Sequence, residues 1–189
     1  MRKSRLFEFL LVFLAVAFVV SLMAEKQEPP EGATEPPKTV ADSDRPPGNR
    51  PLNIGDKVPN FSLTDQDQKT VTYNEGQGPL LIVLTATGCG ECLERISKED
   101  VEAYNLAQAR DLQVWNLLVF QNPGGVSSFV DQKSPSADEV LADPSSEISV
   151  RTLGGSDQTC WLLIDGEGRL AYRGPVDLTA LGKALDSLS

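Results

Sequence analysis

The chain has 189 residues, a net charge of −10, three cysteines and no histidine. Without histidine, Ser-His-Asp and Cys-His catalysis, imidazole proton shuttling and His-ligated metals are excluded. The charge is uneven: Arg2, Lys3 and Arg5 against Glu8 give residues 1–24 a net +2, so the remainder carries −12 (−10 − 2). Such a surface repels phosphate backbones and argues against a nucleic-acid partner.

Residues 9–24 form an apolar run broken only by Ser21. As a helix it spans about 24 Å at ~1.5 Å per residue, short for a membrane span and long for a signal-peptide core. With Ala24 before a cleavage point, Leu22 would stand where a small residue is needed. A signal anchor is therefore preferred over a removed signal peptide. No Cys follows the run, so a lipoprotein anchor is excluded. The preceding basic cluster keeps the N-terminus cytoplasmic and places the rest of the chain beyond the membrane. Residues 25–51 hold seven of the thirteen prolines and almost no large apolar side chain. They read as a disordered, extended linker. Residues 52–189 are left for one folded domain.

Within that domain, Phe61-Ser62-Leu63 and residues 70–73 suggest a hairpin around residues 65–69. Residues 79–86 are continuously apolar after Pro79, as in a central strand buried on both faces. Residues 92–109 read as a helix that the polar run 97–100 bends or interrupts. Residues 112–120 are a second buried strand. Asn122-Pro123-Gly124-Gly125 breaks the chain, a short helix follows near 126–133, and 146–153 make a helical turn or two. Strands at 160–164 and 170–172 flank Asp165-Gly166-Glu167-Gly168, a hairpin signal. Residues 178–188 close the chain as an amphipathic helix. The order β-α-β-α-β-β-α gives an α/β domain, a central mixed sheet with helices on both faces and a hairpin extension at its N-terminus.

Cys89-Gly90-Glu91-Cys92 lies where the central strand turns into a helix. Unpaired backbone N–H groups and the helix dipole at that point favour thiolate over thiol. Cys92 follows one turn later on the same face, at a spacing a disulfide can bridge. Gly88 and Gly90 leave room for another protein's disulfide to approach Cys89. On this geometry Cys89 attacks and Cys92 resolves the mixed disulfide. Glu91 opposes thiolate formation somewhat. Three other readings of the pair stand beside this one. A half zinc site has only Cys160 as a further soft ligand. A structural disulfide would close a loop too short to remove much chain entropy. The two could also be plain buried thiols. No cofactor is expected.

Four segments, in order, resemble the thioredoxin-like superfamily, and within it the membrane-anchored TlpA/ResA-type redoxins related to AhpC/TSA proteins. Gly55-Asp56-Lys57-Val58-Pro59-Asn60-Phe61-Ser62-Leu63 is similar to the family opening G-x-x-x-P-x-F-x-L. Leu84-Thr85-Ala86-Thr87-Gly88-Cys89-Gly90-Glu91-Cys92 is similar to its strand end and W-A-T-W-C-P-P-C. Val140-Leu141-Ala142-Asp143-Pro144 and Leu162-Leu163-Ile164-Asp165-Gly166-Glu167-Gly168-Arg169-Leu170 resemble two later segments. The resemblance implies a thioredoxin-like fold over residues 54–188. It implies an extracytoplasmic thiol–disulfide oxidoreductase that reduces protein disulfides, with electrons from a membrane-embedded thiol donor. The chain departs from the pattern where Gly88 replaces the Trp before the first Cys and Gly90-Glu91 replaces Pro-Pro. Thr159 stands where the family has its cis-Pro. Cys160 would begin the strand beside that loop, either as a third redox member within reach of Cys89 or as a small core hydrophobe. Trp161 reads as core. Two alternatives are carried with the oxidoreductase. A peroxiredoxin-like peroxidase would want Thr three residues before its reactive Cys, where Ala86 stands. A thioredoxin-fold module could also bind partners without catalysis.

Overall fold

The computed structural model describes residues 50–96, 98–155 and 160–188. The expected anchor and most of the linker, residues 1–49, lie outside them. Seven strands form one mixed sheet: β1 (Phe61–Asp65), β2 (Thr70–Tyr73), β3 (Leu80–Ala86), β4 (Gln113–Val119), β5 (Glu139–Asp143), β6 (Cys160–Ile164) and β7 (Leu170–Gly174), in the order β2-β1-β5-β4-β3-β6-β7. β3, β4 and β5 run parallel, and the remaining pairings are antiparallel. The helices are α1 (Gly90–Arg95), α2 (Glu99–Gln108), α3 (Pro123–Lys133) and α4 (Leu178–Asp186), with a π-helical turn at Glu147–Thr152.

β3 is central because every other residue along it is claimed by a different face. Leu80, Ile82 and Leu84 pack with Trp115, Leu117, Leu162 and the stacked pair Phe61–Tyr73. Leu81 and Val83 pack on the other face with Trp161, Ala103 and Ala107 of α2, and Leu181 and Leu185 of α4. On that same face Leu118 and Ala142 meet Val126 and Phe129 of α3. The four α-helices therefore share one face. Ile148 and Val150 of the π-helical turn cover the other.

Both hairpins are braced by aspartate. Asp65 Oδ1 accepts from the backbone N–H groups of Asp67 and Lys69, each at 2.8 Å. Asp165 Oδ1 accepts from Glu167 at 2.9 Å and Arg169 at 2.8 Å. This is the Asx-turn chemistry that the turn sequences promised.

The structure amends the sequence-based elements in four places. The helix expected over 92–109 starts earlier, at Gly90, and is interrupted as the polar run 97–100 suggested, with α1 ending at Arg95 and α2 beginning at Glu99. Asn122-Pro123-Gly124-Gly125 does not break the chain but starts α3, with Asn122 at the cap position and Pro123 in the first turn. Proline's fixed φ and missing donor suit that position. Residues 139–143 form a strand, β5, between β1 and β4. The N-terminal hairpin is consequently part of the main sheet, joined through the β1–β5 pairing.

Candidate active site

The site is built at the carboxyl edge of the parallel strands. β3 ends at Ala86, and the chain turns through Thr87 and Gly88 so that Cys89 N–H donates to Ala86 O at 3.2 Å. Leu93 N–H then donates to Cys89 O at 3.1 Å, which opens α1. Cys89 thus occupies the cap position of α1, as the spacing predicted. It is half-buried and disulfide-bonded. Gly88 and Gly90 are exposed, and a Cβ built on either would meet no atom within 4 Å. Among the described residues nothing crowds the two glycine positions that flank Cys89. Cys92 lies within α1, and Glu91 precedes it on the same helix.

The neighbouring strand reaches this turn. β3 and β4 are in register through Ala86↔Val119, so Phe120 comes abreast of Thr87. Thr87 Oγ1 donates to Gln121 Oε1 at 2.9 Å. The Gln121 amide in turn lies where a Cβ on Gly125 would have to go. Absence of a side chain at 125 is what lets Gln121 fold back toward the Cys turn. Phe120 itself has φ +58°, a left-handed conformation rare for a bulky residue. Its N–H donates to Asp143 O at 3.1 Å and Ser146 Oγ at 3.2 Å, which holds it there.

A family model described as AhpC/TSA family matches residues 54–173, from before β1 into β7. The chain belongs to the AhpC/TSA family. No curated protein matches it. Solved structures share its thioredoxin-like fold at low sequence identity. A peroxiredoxin-like protein from Aquifex aeolicus superposes with a TM-score of 0.59 at 15% identity, covering 74% of this chain and 89% of that one. The thioredoxin domain of a thiol-disulfide oxidoreductase from Bacteroides vulgatus gives 0.56 at 15%, covering 72% and 97%. The dsbF protein of MTB, in mixed oxidised and reduced forms, gives 0.54 at 17%, covering 68% and 95%.

In this AhpC/TSA-family chain the third cysteine is buried. Cys160 pairs with Leu84 and packs in the core face away from the α-helices, against Gly155. Thr159, the position of the family's cis-Pro, lies outside the described residues. Trp161 is fully buried, as expected of a core residue.

Behind the site is a polar layer that local sequence patterns did not reveal. Asp100, in the first turn of α2, is 2% exposed and accepts a hydrogen bond from Trp161 Nε1 at 3.0 Å. Burial pushes its carboxyl up to about 6. The Trp161 bond works against that rise, and the charge of Glu99 adds to it. Trp161, Val83 and Asn116 are register neighbours across β6, β3 and β4, on the face that α2 covers. Among the described residues, Asp100 Oδ2, Asn116 Oδ1 and Thr85 Oγ1 are buried without a hydrogen-bond partner. Such atoms are expensive to bury. The acidic run 99–102 gave the only sequence signal, and it reads equally well as a solvated helix start. No group of three Cys, Asp or Glu side chains among the described residues is placed to hold a metal.

Proposed function

We propose that the chain exchanges disulfides with partner proteins as a thiol–disulfide oxidoreductase, with Cys89 attacking and Cys92 resolving. The observation that carries this reading is the position of Cys89. It caps α1 on a glycine-flanked edge, and it is engaged in a disulfide. In the reductive direction the Cys89 thiolate attacks one sulfur of the partner's disulfide. A Cys89–partner bond forms, and the partner's second sulfur leaves and takes up a proton. The Cys92 thiolate then attacks Cys89 Sγ, releases the partner's first sulfur and closes the Cys89–Cys92 bond. Two electrons pass from the chain to the partner. Restoring the dithiol falls to a membrane-embedded thiol donor. The domain works on the extracytoplasmic side, tethered through residues 1–24. This part of the proposal rests on the apolar run and the family resemblance.

The peroxidase reading draws on the family itself and on the Aquifex aeolicus neighbour. Against it, Ala86 carries no hydroxyl three residues before Cys89, and the Thr87 hydroxyl is engaged with Gln121. The test uses the full-length chain in detergent with dithiothreitol as reductant. Wild type should accelerate reduction of a protein disulfide, Cys89→Ser should abolish the acceleration, and Cys92→Ser should trap mixed disulfides. Full activity in Cys89→Ser would sink the proposal. Rapid peroxide consumption by Cys92→Ser would favour the peroxidase. A wild type inert in both assays would leave the binding module.

A further inference from the structure

The edge that carries Cys89 also exposes one large apolar side chain, Phe120, which is 64% exposed. The other exposed large hydrophobics among the described residues lie elsewhere, Ile54 before β1 and Val101 on α2. Phe120 is the last residue before Gln121, whose side chain is bonded to Thr87, two positions ahead of Cys89. Its φ of +58° is locked by the two acceptors of its N–H, Asp143 O and Ser146 Oγ. Ser146, also left-handed at φ +53°, is 2% exposed. Asparagine or glycine would take this backbone conformation more readily than phenylalanine. Disfavoured conformations that the surroundings enforce concentrate at ligand-contacting sites.

We propose that Phe120 is a docking residue for the partner, packing against an apolar side chain that flanks the disulfide of an extended polypeptide. The inference rests on the disulfide-exchange reading above and names its substrate class. Three observations favour this occupant. A partner's disulfide approaching Cys89 past Gly88 and Gly90 meets no side chain at either position. Adjacent strands lie roughly 5 Å apart and an extended chain advances ~3.3 Å per residue, so a partner bound at Cys89 reaches Phe120 within two or three residues. A small disulfide has no side chain to place there, and the −12 carried outside residues 1–24 repels anionic ones such as glutathione disulfide.

The test compares initial rates of the full-length chain in detergent on three disulfides. Two are synthetic peptides that differ only in Leu or Ser beside the cystine. The third is neutral 2-hydroxyethyl disulfide. Wild type should prefer the Leu peptide about tenfold, the discrimination expected from partly burying one aliphatic side chain. Phe120→Asn, which suits the left-handed backbone and keeps the fold, should bring the Leu/Ser ratio to within about twofold of unity. Phe120→Leu should retain most of the preference. A wild type that turns over 2-hydroxyethyl disulfide but shows no Leu preference overturns the docking role and leaves the exchange chemistry standing. So does a preference that survives Phe120→Asn. A wild type inactive on all three overturns the exchange reading itself. Conversion of a dimer to a monomer by Phe120→Asn, seen in sedimentation velocity, would make a second copy the occupant and also overturn the proposal.

Discussion

Two helix starts in this domain are filled differently. At α4, Asp177 Oδ1 accepts from the backbone N–H groups of Thr179 at 2.8 Å and Ala180 at 3.1 Å. At α1 the equivalent position holds Cys89, whose carbonyl accepts from Leu93. A carboxylate there satisfies orphan donors permanently and stabilises the helix. A thiol is a weak acceptor and gains from the same donors mainly when ionised. One start therefore suits stability, and the other suits the attacking role proposed for Cys89. The first turn of α2 is a third case. Asp100 sits among the first-turn acids, but its carboxylate is buried and receives the Trp161 indole.

These contrasts can be broken in order of expected size. Cys89→Ser should remove disulfide turnover by orders of magnitude, while thermal unfolding of the dithiol form, followed by circular dichroism, shifts little. An equal loss of stability would make Cys89 a structural residue.

Next comes Asp100. Its folded pKa of about 6 lies above the unfolded value of 3.8. It binds its proton more tightly when folded, so its contribution is full below pH ~4 and is lost as pH rises through about 6. At ~1.4 kcal/mol per unit the loss is at most roughly 3 kcal/mol. Urea unfolding at pH 4 and pH 7 should show that Asp100→Asn loses less stability over this interval than wild type. Parallel profiles would show that Asp100 ionises in the folded state as it does in the unfolded one.

The smallest effect belongs to Asp177→Ala. Loss of the two cap bonds should cost about 1 kcal/mol in chemical denaturation, with disulfide turnover within about twofold of wild type. A large loss of turnover would mean that α4 supports the site and that the two helix starts are coupled.

The parts of the fold that were legible depend on short-range patterns. Residues 80–84 are apolar without interruption because β3 is covered on both faces, a requirement of a central strand. Asp65 and Asp165 mark hairpins because an aspartate bonds its own neighbours two and four residues on. The Cys pair was legible because its strand–turn–helix context is contiguous. β5 was missed for the opposite reason. Glu139 and Asp143 give its ends a polar look, and its place is fixed by pairing with β1 and β4, remote in sequence. The polar run 97–100 points to the α1–α2 interruption, whereas Asn122-Pro123-Gly124-Gly125 reads as a break although it starts a helix. A proline in the first helical turn and a proline in a loop look alike until the following residues are seen to wind.

By itself the sequence determined the layered α/β domain, the Cys-x-x-Cys motif at Cys89 and Cys92, and the placement of Cys89 at a helix start. All three follow from residues within a turn or two of one another. Only the tertiary structure decided the company this pair keeps. It set Phe120 and Gln121 beside the Cys turn across the β3–β4 register, and it set Asp100 against Trp161, 61 residues away. It also turned Cys160 into the core face away from the helices. Contacts of that kind arise from strand register and from the choice of sheet face, and a shift of one residue would reverse every one of them.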